Sequence, residues 1–151
     1  MKACQLSVLV ENKPGSLSRV TKILAREKIN IRSITISSHG ESGVINAIVD
    51  RPKQAQKALE MDGLSVSLKD IIAVPVDDKP GSFDKLVQLL ADKNINIENS
   101  YGFVLESWKK AIIILDIQEL ERAKEILEEA GFEILNEDEM SAVEPFHYMR
   151  Y

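Results

Sequence analysis

Two short phrases in this chain carry residue types suited to holding a small zwitterion. Asn12-Lys13-Pro14-Gly15-Ser16-Leu17 returns 66 residues later as Asp78-Lys79-Pro80-Gly81-Ser82-Phe83. Gly15 and Gly81 lack a side chain and let a ligand approach the backbone closely. A helix opening at Ser16 or Ser82 directs N–H groups and the positive end of its dipole outward, which suits a carboxylate. Asn12 both donates and accepts, so it suits a carboxylate and an ammonium together, whereas an ionised Asp78 only accepts and favours the ammonium. The Asn12 copy therefore reads as the better carboxylate binder. The same Pro-Gly pair also makes a sharp strand-to-helix turn, and turn and pocket place the same demand on glycine.

Other chemistry finds little support. His39, His147 and the single Cys4 lack the clustered spacing of a zinc site. No Gly-x-Ser-x-Gly elbow, phosphate loop or Gly-rich dinucleotide fingerprint is present. No catalytic residue, metal ligand or cofactor is expected. Glu137-Asp138-Glu139 reads as a solvated charge run. Trp108 tips a predicted hairpin, either as a partner-binding anchor or packed on a neighbouring subunit.

The elements around the two phrases repeat as well. Nine of the 20 positions from 12 to 31 are identical at the 66-residue offset, ending in Ile29-Asn30-Ile31 and Ile95-Asn96-Ile97. That period is a small domain's length, too long for a solenoid repeat. Leu6, Val8 and Val10, then Ile72, Val74 and Val76, form the apolar faces of two strands. Leu17, Val20, Ile23 and Leu24 follow at helical spacing, matched by Phe83, Leu86, Leu89 and Leu90. Ser16 and Ser82 are the predicted helix caps. Hairpins are predicted over 31–49 and 97–115, turning at 39–43 and 106–109. Second helices end at Gly63 and Gly131 as left-handed caps, followed by strands 64–68 and 132–135. Each repeat thus reads strand-helix-strand-strand-helix-strand. The expected fold is α+β, with tandem ferredoxin-like βαββαβ repeats whose antiparallel sheets carry helices on one face. Pro75, inside a predicted central strand, implies a bulge or a shortened strand there.

The expected domains are residues 1–69 and 70–136, with a tail at 137–151 whose Met140, Val143, Phe146, Tyr148 and Tyr151 are apolar enough to dock. Units of this size bury a modest share of their surface, so packing of the halves and a homodimer are expected. Residues 1–70 carry 11 Lys/Arg against 7 Asp/Glu, and residues 71–151 carry 8 against 17. The acidic second half opposes a polyanion, which argues against nucleic acid. The apolar run from Ala111 to Leu115 is far below the ~20 residues of a membrane span, so no membrane partner is expected. A start without a signal-peptide apolar core and a lone cysteine point to the cytoplasm.

The phrases Val8 to Val20 with Ile29-Asn30-Ile31, and Val76 to Phe83 with Ile95-Asn96-Ile97, resemble the ACT domain, over roughly residues 3–136. The resemblance implies a non-catalytic regulatory protein that binds an amino acid between paired domains and passes the signal to a separately encoded metabolic enzyme. It places ligand contacts on Asn12, Lys13, Pro14, Gly15, Ser16, Leu17, Asn30 and Ile31. In the second copy it places them on Asp78, Lys79, Pro80, Gly81, Ser82, Phe83, Asn96 and Ile97. The chain departs from the family where Lys28 and Asn94 stand in place of a frequent Gly, and Asn tolerates the left-handed backbone better than Lys. Two rival readings are a small regulatory subunit of an acetolactate synthase and a small ferredoxin-like enzyme of amino-acid metabolism.

Overall fold

The computed structural model describes residues 2–142, and the chain divides into two compact units. The first, Cys4–Lys69, runs β1 (Cys4–Glu11), α1 (Ser16–Arg26), β2 (Ile31–His39), β3 (Ser42–Val49), α2 (Pro52–Met61) and β4 (Ser65–Asp70). Its sheet has the order β2-β3-β1-β4. The second begins at Asp70 and gathers in Ala3 and Lys2 from the other end of the chain. It runs β5 (Ile72–Asp77), α3 (Ser82–Asp92), β6 (Asn99–Glu106), β7 (Lys110–Asp116), α4 (Leu120–Glu129) and α5 (Glu137–Ala142), with sheet order β5-β7-β6. Both sheets are antiparallel with their helices on one face, as the strand-helix pattern requires.

In the first unit Leu6, Val8, Ile45 and Ala47 share the helix-facing side of the sheet and bury against Val20, Leu24, Ala55 and Leu59. Ile72, Val74, Leu115, Leu86, Leu90, Ala123 and Leu127 form the equivalent core of the second. All four long helices end in the same hydrogen-bonded cap. In α1 the N–H of Lys28 bonds to Ala25 C=O at 3.0 Å and that of Ile29 to Leu24 C=O at 2.9 Å. Asn94 and Ile95 repeat the pattern after α3, Gly63 and Leu64 after α2, and Gly131 and Phe132 after α4. That pattern needs a left-handed residue. Gly63, Gly131 and Asn94 supply it at modest cost, and Lys28 adopts φ 58 regardless, the same angle as Asn94.

Three expectations are corrected. Ser16 and Ser82 are not the helix caps; Gly15 and Gly81 occupy that position at φ 93 and 90, with no side-chain cap. Lys13-Pro14-Gly15-Ser16 and Lys79-Pro80-Gly81-Ser82 are closed turns, with Ser N–H to Lys C=O distances of 3.3 and 3.2 Å. Pro second and a left-handed Gly third are the signature of a type II turn. Next, Pro75 causes no bulge, because β5 pairs with β7 in unbroken register from Ile72↔Leu115 to Asp77↔Lys110. Ala73 C=O points away from β7 and accepts from Leu135 N–H. Pro75, two residues on, faces that same outer edge, where its missing N–H costs no bond to β7. Finally, the predicted strand 132–135 is reduced to an isolated bridge, Ala73↔Leu135. Beside it Lys2 bridges Asn136 and Ile71 N–H bonds to Ala3 C=O.

The acidic run opens α5 instead of standing free. Asn136 Oδ1 accepts from Glu139 N–H at 2.8 Å and Glu139 Oε1 from Asn136 N–H at 3.0 Å, a reciprocal capping box. Met140 is buried below it. His147 and the tail residues Val143, Phe146, Tyr148 and Tyr151 lie outside the described residues.

Two substitutions test these local arguments. Lys28→Gly relieves a left-handed backbone costing ~1–2 kcal/mol, less the glycine's entropy of ~0.5–1 kcal/mol. It should raise unfolding free energy in urea by about 0.5–1 kcal/mol. On Gly102 an added Cβ would lie 2.4 Å from the Ile112 carbonyl oxygen. Gly102→Ala should therefore lose about 1–3 kcal/mol; an unchanged urea midpoint would contradict so close an approach of β6 to β7.

Candidate functional site

Where β1 ends and α1 begins, Val10, Glu11, Lys13, Pro14, Gly15, Ser16, Arg19 and Leu64 enclose a cleft of about 270 Å³. The type II turn makes one wall of it. With glycine at the cap position, no side chain covers the first N–H groups of α1, so the positive end of the helix stays accessible. Nothing stands within 4 Å of where a Gly15 Cβ would be. Arg19, one turn into the helix, adds a cation. Its guanidinium is fixed by Asp62 at the end of α2, through Nε to Oδ2 at 2.9 Å and through a second bond to the Asp62 carbonyl. Glu11 and Lys13 pair across the mouth at 3.0 Å. An uncapped helix start beside a fixed guanidinium suits an anion, and the ion pair at the mouth offers both charges to a zwitterion.

The second unit repeats this cleft at about 320 Å³, lined by Pro75, Val76, Asp77, Lys79, Ser82, Lys85, Lys110, Gly131, Phe132 and Glu133. Lys85 takes the place of Arg19, Asp77 that of Glu11, and Phe132 that of Leu64. Lys110, across from Asp77 on β7, has no basic counterpart, since Ser42 faces Glu11 in the first unit. Lys110 Nζ lies 3.1 Å from Asp77 Oδ1. That hydrogen bond, then the charge of Lys110, and more weakly those of Lys79 and Lys85, hold the Asp77 carboxyl below its ordinary pKa.

Of the sequence-predicted positions, Lys13, Pro14, Gly15 and Ser16 line the first cleft, and Lys79 and Ser82 the second. Pro80 and Gly81 form the matching turn. Leu17 and Phe83 are exposed on the first helical turns. Asn12 and Asp78 tie each turn to its neighbouring hairpin. Asn12 Nδ2 donates to Gly40 C=O at 2.9 Å, and Asp78 Oδ2 accepts from Trp108 N–H at 2.6 Å. Donor and acceptor are exchanged between the repeats because the two hairpin tips present opposite groups. Trp108 itself is exposed at a left-handed tip position.

Asn30 and Ile31 do not join the turn. Leu6 and Ile34 share Ala47 as cross-strand partner, and Ile31 pairs with Val49, so β1 and β2 run parallel with β3 between them. Asn30, before β2, therefore sits at the opposite end of the sheet from Gly15. The eight residues of β1 put about 26 Å between those ends. There the Asn30 N–H donates to Asp50 Oδ1 at 3.0 Å. Asn96 is exposed and Ile97 half-buried, both just before β6. Sequence reading missed Arg19 and Lys85 as cleft residues, together with Glu11, Asp77 and Lys110. The available signal was a cation four residues after each turn glycine. Among the described residues no group of three or more His, Cys, Asp or Glu is placed to hold a metal ion. No helix among them is long and apolar enough to cross a membrane.

Residues 1–144 match the family model of an ACT domain pair. A solved protein from Bacteroides thetaiotaomicron is similar over 94% of this chain and 97% of its own, at 29% identity and a TM-score of 0.87. The ligand-free regulatory subunit of aspartate kinase from Thermus thermophilus is similar over 87% of this chain and 94% of its own, at 22% identity and a TM-score of 0.65. Aspartokinase alpha and beta subunits are similar over 85% and 92%, at 22% identity and a TM-score of 0.60. The last two likenesses are of fold. No functionally curated protein matches the chain.

The Asp77–Lys110 pair gives a pH prediction whose sign is fixed. A carboxyl with a depressed folded pKa stabilises the fold above its unfolded value of about 3.9, and that contribution is lost as pH falls through the folded value. The Asp77 carboxyl resonance should titrate below the ordinary aspartate range in the wild type and move back toward it in Lys110→Met, where Lys79 and Lys85 remain. Both side chains are more than half exposed, so salt should weaken the shift.

Proposed function

The chain belongs to the family of ACT domain pairs, and from that premise we propose that it is a non-catalytic regulatory protein that binds an amino acid. The observation that carries this reading is the repeated cleft. Both units set an uncapped helix start, a left-handed glycine and a cation one turn on against an acidic residue at the end of the preceding strand. The helix start and cation receive the α-carboxylate, and Glu11 or Asp77 attracts the ammonium. Leu64 in one cleft and Phe132 in the other give the ligand's side chain an apolar surface. The separation of Gly15 from Asn30 supports ligand binding between units. When the β2 edges of two ACT units lie antiparallel, Asn30 of one comes beside the turn of the other. A second copy of the chain supplies that partner, so the working form is a homodimer. One similar fold is named as a regulatory subunit of aspartate kinase, which supports an enzyme of amino-acid metabolism, separately encoded, as the recipient of the signal. The single, buried Cys4 suits a reducing cytoplasm.

Thermal melting against the twenty amino acids tests the reading. A ligand at 100 times its dissociation constant adds about 2.7 kcal/mol, visible as a raised midpoint. The rise should shrink in Gly15→Asp, which puts a carboxylate at the helix start, vanish when Gly81→Asp is added, and be less affected by Gly15→Asn, the neutral shape control. No rise with any amino acid would leave the turns purely structural. In a Gly81→Asp background, an equal mixture of Gly15→Asp and Asn30→Ala chains should restore binding at about a quarter of the two-site stoichiometry, because about half of the dimers are mixed and one of the two composite sites in each mixed dimer is intact. Full binding by Asn30→Ala chains alone would place the whole site within one unit.

A further inference from the structure

A second cavity, in the second unit and away from its Pro-Gly turn, has a different chemistry. It holds about 230 Å³ and opens beside Ile72, the first residue of β5, whereas the turn cleft lies beside Asp77, the last. Its walls include Ile72, Leu120, Ile134 and Leu135. Among the described residues, Lys2 and Lys124 are the charged ones in its lining. The cavity lies where the expected fourth strand is reduced to a bridge. Leu135 makes a single bridge to Ala73, and Lys2 bridges Asn136 beside it; Ile72 is buried at the floor, while Leu120, in the first turn of α4, and Ile134 are half-buried at the wall. Lys2 is held by Glu121, and Asp70 adds to the negative field around it. Lys124, on the next turn of α4, also acts on the Glu121 carboxylate. The rim thus carries two ammonium groups against the nearby Glu121 and the weaker Asp70, while the floor is aliphatic.

We propose that this cavity binds a short aliphatic monocarboxylate, its chain over Ile72, Leu120, Ile134 and Leu135 and its carboxylate at Lys124. Size sets the class. At about 30 Å³ for a water's share of volume, the cavity takes about seven or eight non-hydrogen atoms, which is a five- or six-carbon acid. An α-amino group would bring a third ammonium toward Lys2 and Lys124, and the nearby Glu121 is already paired with Lys2, so the cavity should reject amino acids of the same carbon skeleton. This selectivity is opposite to that of the turn clefts, and the proposal stands whether or not those clefts bind amino acids.

Methyl and amide NMR of the full chain, titrated with straight-chain acids from butanoate to octanoate, tests it. Saturable shifts should centre on Ile72, Leu120, Ile134 and Leu135, be largest for pentanoate and hexanoate, and be absent with hexan-1-ol and norleucine. Lys124→Met keeps the aliphatic stem and should weaken hexanoate about fivefold. Leu120→Trp fills the cavity and should abolish the shifts. A wild-type affinity retained in both variants, equal binding of the alcohol, or shifts centred on Gly81 would overturn the proposal. Absence of any saturable shift at low-millimolar hexanoate would overturn it too. The amide spectrum of each variant shows whether it is folded, and Lys124, half-buried on a helix surface, is the safer of the two.

Discussion

Everything at the candidate site follows from one backbone constraint, the left-handed glycine between strand and helix. A type II turn reverses the chain in four residues and requires a positive φ at its third position, which Gly15 and Gly81 supply at 93° and 90°. The same residue is the helix cap, and a serine placed there would meet the strain that only glycine avoids. A side-chain cap would have contributed roughly a few tenths of a kcal/mol over glycine to each helix. The fold forgoes it twice, leaving the first-turn N–H groups to the cleft. Bonds from the hairpin tip then brace the turn, through Asn12 N–H to Glu41 C=O and Asp78 N–H to Lys109 C=O. The site is therefore rigid where it presents its dipole and open where a side chain would have stood.

The two repeats keep that constraint and diverge around it. Arg19 is bound in place by Asp62, whereas Lys85 stands in a cleft that also holds Lys79 and Lys110. A guanidinium fixed at one angle favours a planar carboxylate, and a set of ammonium groups is a more diffuse positive field. The edges diverge too. Pro75 turns a face without a donor outward from β5, which discourages a full strand from pairing there. The segment after α4 makes one bridge, and Lys2 and Ala3 meet the vacant edge. An apparently awkward proline in the sequence is thus part of the reason the second sheet has three strands and a cavity at its border.

Much of this was legible before any coordinates. Alternation in Leu6, Val8 and Val10, helical spacing in Val20, Ile23 and Leu24, and the glycines at 63 and 131 are local signals, and the elements they predict are present. What was not legible depends on neighbours. Whether residues 132–135 pair along their length is decided by the hydrogen-bonding face of β5, to which side-chain periodicity is blind. The role of Asn12 and Asp78 depends on the group that the opposite hairpin tip offers, a carbonyl in one unit and an N–H in the other. The clustering of Lys85 with Lys110 needed the β5–β7 register. Ser16 looked like a cap because serine often is one, and only the glycine's dihedral angle moved the cap one residue earlier.

The parallel relation of β1 and β2 carries the last step. It sends the Pro-Gly turn and Asn30 to opposite ends of one unit, so a ligand touching both must touch two units. Binding and pairing then become one equilibrium. Each ligand favours the paired state by as much as pairing favours the ligand, and a regulator works only through such differential affinity. On the proposed reading, an amino acid would alter how firmly two units are held together, and a partner contacting either unit would sense its concentration. Moving the population from mostly unpaired to mostly paired takes roughly 5.5 kcal/mol of preference. A short charged ligand can supply that only where an uncapped helix and a fixed cation meet it at one end and an asparagine at the other. Two weak half-sites that work only when joined make the response depend on assembly, which one complete pocket within a unit would not.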